Sequence, residues 1–143
     1  MFKRILVPLD GSTNAEKVLP VAITEARLHE AVIVLLRVIA PLRQSLMSSP
    51  SVIDQAYQRI EYIAKDYLEK VAAGIKAEGL EVETVIVHGR PAHCTLEVAQ
   101  DRAIDLIIIG THGETGALQW RFGSVANKII RAESSIPVLV VST

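Results

Sequence analysis

Hydrophobic positions along the chain switch repeatedly between two periods. Ile5-Leu6-Val7 is a short aliphatic run closed by Pro8 and the Asp10-Gly11 turn pair, which predicts a strand. Thr13-Asn14-Ala15-Glu16 then reads as a capping box opening a helix, in which Val18, Leu19, Ala22, Ile23 and Ala26 recur at helical spacing. Val32 to Ile39 predicts a second strand, interrupted only by Arg37. Pro41 to Ser51 is rich in proline and serine and predicts a loop. Ile60, Ile63, Ala64, Tyr67, Leu68, Val71, Ala72 and Ile75 step by threes and fours, the clearest amphipathic helix of the chain, and Gly79 stops it. Val82 to Val87 predicts a third strand, and Pro91 suits the first position of a short helix through Ala99. Leu106 to Ile109 is a fourth strand. Val125, Ala126, Ile129 and Ile130 mark a further helix, and Val138 to Val141 a fifth strand.

Strands alternating with helices imply a parallel sheet with right-handed crossovers. The first, fourth and fifth strands are apolar throughout, as expected where both faces of a sheet are covered. The expected fold is an α/β three-layer sandwich around a doubly wound sheet. No composition break or internal repeat divides residues 1–143, so one domain is expected. Ligands of such sheets bind beyond the carboxyl ends of the strands, where the strand order reverses. Two segments leave strand ends with special residues. One is Pro8-Leu9-Asp10-Gly11-Ser12; the other, Gly110 to Ser124, holds four of the chain's eight glycines.

Gly110 and Gly113 allow a sharp turn with exposed amides, and Gly123-Ser124 stands just before a helix. A helix N-terminus offers unpaired N–H groups and partial positive charge to an anion. Glycine at 123 lets a phosphate approach the backbone, and the Ser124 hydroxyl adds a donor. The same residues also suit a mobile loop with a serine cap. No Gly-Lys-Ser/Thr follows, so this is no Walker loop, and its glycine spacing is not the dinucleotide fingerprint.

Composition narrows the partners. Half of the residues are hydrophobic and 22% are charged, which excludes a disordered chain. Aromatic residues make up 4% and the formal net charge is -1, both unlike a nucleic-acid-binding surface. No apolar run reaches the roughly 18 residues of a membrane span. The single cysteine, Cys94, fits a reducing compartment, and the start of the chain is too short in apolar residues for a signal peptide. A cytoplasmic protein is expected.

Gly110, two residues, Gly113, nine residues, Gly123 and Ser124 resemble the nucleotide-binding motif of the universal stress protein family. The resemblance spans the chain, through ILVPLDGS, LLRVI, GRPA, DLIIIGTHG, GSVANKII and IPVLVV in that order. It implies a five-stranded sheet of order 3-2-1-4-5, with the reversal between the first and fourth strands. It further implies an ATP-binding regulatory protein, ADP or AMP being alternatives, with Mg²⁺ carried on the phosphates. By the same resemblance Asp10 binds the ribose and the backbone of Val38 meets the adenine. Pro8, Leu9 and Ile109 line the purine pocket, and Gly110, Gly113, Gly123, Ser124 and Val125 hold ribose and phosphates. A helix cap is the other use for Asp10, but Thr13 and Glu16 are expected to fill it. Glu114 departs from the family, whose loops often carry a basic residue there; an acid near a polyphosphate weakens affinity unless it turns outward or helps hold Mg²⁺, and Arg121 offsets it.

Nothing pairs a nucleophile with a base, so slow or no hydrolysis is expected. A slow Mg-dependent ATPase using Asp10 or Glu114 is one alternative, and a nucleotide-free dimeric interaction module another. His88, His93 and Cys94 lie close in sequence but read as surface histidines and a half-buried thiol rather than metal ligands. His112 and Arg43 are secondary ligand candidates, and Trp120 is expected to pack under its loop. The order 3-2-1-4-5 leaves Val138-Leu139-Val140-Val141 at a sheet edge guarded only by Pro137. An uncovered apolar edge predicts a homodimer joined through this strand.

Overall fold

A strand of five residues, β1 (Arg4–Pro8), lies at the centre of the sheet and organises the rest of the computed structural model, which describes residues 1–42, 49–111 and 124–143. Around it the elements follow as α1 (Thr13–Glu16), α2 (Leu19–His29), β2 (Val32–Ile39), α3 (Pro50–Lys76), β3 (Val82–His88), α4 (Pro91–Asp101), β4 (Leu106–Gly110), α5 (Ser124–Arg131) and β5 (Val138–Val141). The sheet is parallel throughout, in the order β3-β2-β1-β4-β5. This is the doubly wound arrangement expected from the alternating periods and from the family resemblance.

Alternate strand residues point to opposite faces. Ile5, Val7, Ile33, Leu35 and Ile108 pack beneath α2 and α3, against Ala22, Ala26, Leu68 and Ala72. Leu6, Val34, Leu36, Ile107 and Ile109 pack beneath α4 and α5, against Val98, Ala99, Ala126 and Ile129. Both faces of the central strands are therefore dry, which is why these strands read as unbroken apolar runs. The alanines on the helices let their backbones approach the branched side chains of the sheet.

Two helical boundaries differ from expectation. The predicted helix after β1 is two, α1 and α2, separated at Lys17 and Val18. Pro20 is the cause: it has no N–H to give, and its ring collides with the carbonyl four residues back, that of Glu16. The cap of α1 is Ser12 rather than Thr13, its Oγ accepting from the Ala15 N–H at 3.1 Å. The serine-rich loop is also shorter than expected. α3 starts at Pro50, with Ser49 as its cap accepting from Val52 N–H, so the loop's last residues form a helix start.

The amino ends of the strands are closed by charge. Arg4 makes a two-pronged pair with Glu83 of β3, both N–O distances being 2.9 Å, and its Nε donates to the Arg102 carbonyl. Arg102 reaches the same carboxylate at 3.5 Å. Asp105 accepts from the backbone N–H groups of Lys3 and Arg4 at 2.7 and 3.1 Å. The hydrogen bonds from Arg4 hold the Glu83 carboxyl below the usual carboxylate range, with the charges of Arg4 and Arg102 adding to them.

A carboxyl with a lowered folded-state pKa stabilises the fold above its unfolded pKa of about 4.3, and that contribution disappears as pH falls through the folded value. Because Glu83 is partly solvated, Glu83→Gln is expected to cost about 1 kcal/mol or less at pH 7. Urea unfolding of the two proteins should show this difference shrinking to nothing in acid; a cost that persists there would mean the pair's charge is not its cause.

Candidate functional site

The carboxyl ends of the strands are built differently from the amino ends. β1 stays in register with β2 to its last residue, Pro8 facing Leu36. β4 stays with β5 to Gly110, which faces Val141. Between β1 and β4, however, pairing stops at Leu6 and Ile107. Beyond that point the two central strands part and lead into different loops. This is the crevice that a reversal of strand order creates, because the crossovers to either side leave over opposite faces.

The β1 side of the crevice runs through Pro8, Leu9 and Asp10. Pro8 and Asp10 are half-buried, whereas Leu9 is buried in the core under α2 and α3, its N–H donating to the Leu36 carbonyl at 2.8 Å. Asp10 Oδ1 accepts from the Ser12 N–H at 2.9 Å, closing a tight turn in which Gly11 has φ +87°. Ser12 in turn caps α1. Asp10 is therefore held in place by the turn it stabilises, with its second oxygen uncommitted in that bond.

Val38 is buried near the end of β2, facing α4 and α5, and its carbonyl accepts a long contact from Arg37 at 3.3 Å. On the β4 side, Ile109 is buried on the same face, and Gly110 ends the strand. Ser124 and Val125 are the first two residues of α5. The first N–H groups of an α-helix have no partner within it, so this end of α5 is a place where an anion can be met. Gly113, Gly123, His112, Glu114, Trp120, Arg121 and Arg43 lie outside the described residues.

Thr111 and Thr143 were not singled out from the sequence, yet they shape the β4 side. The Thr111 N–H donates to the Val141 carbonyl at 2.9 Å, and the Thr143 N–H donates to Thr111 Oγ1 at 3.1 Å. Thr143 thereby lies against Gly110, at a distance where any side chain on 110 would collide.

A second feature opens on the other side of the β1–α1 turn. A cleft of about 390 Å³ runs between that turn and α3, lined by Asp10, Arg37, Ile60, Ile63, Ala64 and Tyr67. Among the described residues, the Tyr67 hydroxyl is the buried side-chain oxygen or nitrogen with no hydrogen-bond partner. Glu16 stands close to the phenol without reaching bonding geometry. Burial first, and then the negative charge of Glu16, push the Tyr67 pKa upward, so its hydroxyl keeps its proton at neutral pH. Leaving such a group unpaired costs about 1–3 kcal/mol. Sequence periodicity marked Tyr67 only as part of the apolar stripe of α3. The available signal was Arg37, a charge inside a strand whose neighbours are buried on both faces.

Another cleft, about 570 Å³, lies away from the crevice, between the end of β3 and α4. His88 there contacts Glu61 of α3 and meets the Tyr57 ring edge-on at 5.5 Å. His93 pairs with Glu97 one turn along α4 at 3.1 Å. Cys94 is half-buried, and its thiol faces the His88 carbonyl at 3.7 Å. Each histidine has its own carboxylate, and no three His, Cys, Asp or Glu side chains converge on a metal position among the described residues. This cleft is larger than the one beside α3 but holds no buried unpartnered side-chain oxygen or nitrogen among the described residues, so size alone is a poor guide here.

Known proteins match this chain along its length. Residues 1–142 match the universal stress protein family. Universal stress protein YxiE of Bacillus subtilis is 28% identical, over 99% of both chains. Universal stress protein MJ0577 of Methanocaldococcus jannaschii is 30% identical, over 99% of this chain and 95% of that one. The solved structure of MJ0577 superposes with a TM-score of 0.87 at 31% identity, covering 100% of this chain and 97% of its own. A universal stress protein from Archaeoglobus fulgidus, solved in complex with dAMP, superposes with a TM-score of 0.65 at 25% identity, covering 97% of each chain.

Gly110 offers a test of how the β4 side is packed. A Cβ at this position would meet Thr143 Cγ2 at 2.9 Å and both Thr143 Oγ1 and Val18 Cγ1 at 3.4 Å. Gly110→Ala should therefore cost about 1–3 kcal/mol in thermal unfolding. Adding Thr143→Ser, which removes the colliding methyl, should recover most of that loss. Equal losses in the single and double variants would show that the collision is not the constraint.

Proposed function

The chain belongs to the universal stress protein family, and on that premise we propose that it binds an adenine nucleotide, ATP carrying Mg²⁺ on its phosphates, in the crevice between β1 and β4. The observation that carries this reading is the parting of β1 from β4 beyond Leu6 and Ile107 while each keeps pairing with its outer neighbour. That opening lies between Asp10, fixed by its turn, and the strand end that leads toward α5. A relative of this fold binds dAMP, which supports an adenine ligand.

In this reading the Asp10 carboxylate accepts hydrogen bonds from the ribose hydroxyls, as an ionised acid with free acceptor capacity does. Pro8 and Ile109 flank the base, the backbone of Val38 recognises its edge, and Leu9 supports the pocket from the core. Gly110, Gly113 and Gly123 let the phosphates approach the main chain. Ser124 and Val125 at the head of α5 donate to the phosphates. No described nucleophile stands beside a base in the crevice, and the protein acts as a nucleotide-responsive regulator with slow or no turnover.

Removing one hydrogen bond to a charged phosphate costs about 1.5–3 kcal/mol, so Ser124→Ala should weaken ATP binding about ten- to a hundredfold. Gly123→Val, which blocks close approach, should abolish it. Calorimetry with ATP and Mg²⁺ measures both, and mass spectrometry of the protein purified under native conditions identifies any nucleotide it carries. Unchanged ATP affinity in Gly123→Val would remove the phosphates from this position.

We further propose a homodimer that pairs β5 with its own copy. β5 is an edge of the sheet, and Val138 to Val141 are each only half-buried. An apolar edge with unpaired backbone groups is a template for another strand, and a two-fold axis satisfies both copies. Light scattering should give the mass of a dimer for the native chain and of a monomer for Val140→Lys. A native monomer, or a lysine variant that still dimerises, would count against this edge.

A further inference from the structure

The edge of β2 that faces β1 outlasts its partner. Backbone groups of successive strand residues point to opposite sides of the strand. The Ile33 N–H donates to the Glu81 carbonyl and the Ile39 carbonyl accepts from the Gly89 N–H, so this series of β2 turns toward β3. The alternate series turns toward β1: the Val32 N–H donates to the Lys3 carbonyl, and the Leu36 carbonyl accepts from the Leu9 N–H at 2.8 Å. Pairing of β1 with β2 ends at Pro8 and Leu36. Val38 is the next residue of this second series. It therefore presents its N–H and carbonyl side by side past the end of β1, where the chain turns away at Asp10 and Gly11.

Arg37 changes the chemistry of that edge. Its side chain starts on the α3 side of the sheet, opposite to Val38, and lines the cleft there with Asp10. It then returns over the strand, and Nη1 donates to the Val38 carbonyl at 3.3 Å. This is its one hydrogen bond among the described residues, and no described carboxylate pairs with it. A guanidinium has five N–H donors, so most of them remain to spare. A ligand edge laid against Val38 thus meets a backbone donor, a backbone acceptor and a charged donor beside that acceptor.

Adenine and guanine differ at the purine 6-position, where one carries an amino donor and the other an oxo acceptor. A backbone N–H and carbonyl alone suit adenine: the 6-amino group donates to the carbonyl and N1 accepts from the N–H. Guanine in the same place sets its 6-oxo group against the carbonyl, two acceptors with no proton between them, and such a mismatch is strongly rejected. Arg37 supplies the missing proton. We propose that Arg37 sets the base specificity of the crevice, letting it take a guanine nucleotide as well as an adenine nucleotide, by donating to the 6-oxo group. Its charged, planar fork suits this acceptor. The N1–H of guanine still faces the Val38 N–H, so guanine is accepted rather than preferred. This inference deepens the nucleotide reading and rests on it.

The test is calorimetry of the full chain with Mg²⁺ and either ATP or GTP, read as the ratio of the two affinities. The charge of Arg37 attracts the phosphates of both nucleotides alike and cancels in that ratio, as does any general loosening of the fold. The native chain should bind GTP within about tenfold of ATP. Arg37→Met, which keeps an apolar stem but no donor, should widen the ratio about tenfold or more, the loss of one hydrogen bond from a charged group. Should Arg37→Met fail to fold, the native ratio decides alone. A native chain that binds ATP but takes GTP more than about tenfold more weakly overturns the proposal, and so does a smaller widening in a folded Arg37→Met protein. Either result leaves the adenine reading standing. A native chain that binds neither nucleotide overturns both.

Discussion

Everything in this structure depends on keeping water away from both sides of β1. Ile5, Leu6 and Val7 have no exposed surface, and neither do their neighbours Ile33, Val34, Leu35 and Ile107. A parallel strand buried this way needs helices on both faces, and right-handed crossovers deliver them only if the chain winds outward in both directions from the middle. β2 and β3 are therefore reached over one face, and β4 and β5 over the other. The reversal next to β1 is a geometric result of that winding. So is the separation of β1 from β4 at their carboxyl ends.

The two ends of the sheet divide the labour. At the amino end, Arg4, Glu83, Arg102 and Asp105 tie β1, β3 and the approach to β4 together through side-chain bonds across the layers. At the carboxyl end the polar groups are spent on shaping turns instead: Asp10 on the β1–α1 turn, Ser12 on the start of α1, Thr111 and Thr143 on the flank of Gly110. Closure by side-chain pairs at one end contrasts with the parted strands at the other, where β1 and β4 no longer pair beyond Leu6 and Ile107.

The central strands β1 and β4 were legible in the sequence because burial on both faces writes itself as an unbroken apolar run, and Val32 to Ile39 and Val138 to Val141 have the bounds expected. The long stripe from Ile60 to Ile75 likewise announced α3. What failed was local: Val18 and Leu19 kept helical spacing across a break that Pro20 imposes, since periodicity records which side faces the core but not whether the backbone bonds are continuous. Ser49-Pro50 was read as loop composition although the pair is also a helix start. Gly110 was legible as the turn at a strand end, but not as a position where a side chain would collide. The colliding partner, Thr143, lies thirty-three residues later, and only the pairing of β4 with β5 brings the two together. Arg37 was visible as an interruption, but its meaning needed the face it points to and the bond it makes back to the Val38 carbonyl.

The turn at Asp10 has one more consequence. Its carboxylate is placed by the Ser12 N–H, and the same turn forms a wall of the cleft beside α3 as well as a bank of the crevice beside β4. A single hydrogen-bonded loop thus borders two separate cavities. Any molecule that draws Asp10 toward one of them changes the free energy of filling the other. Thermodynamic linkage makes this influence mutual and equal: whatever factor one occupant imposes on the affinity of the second, the second imposes on the first. The three residues of this turn are the shared wall through which the two cavities are coupled.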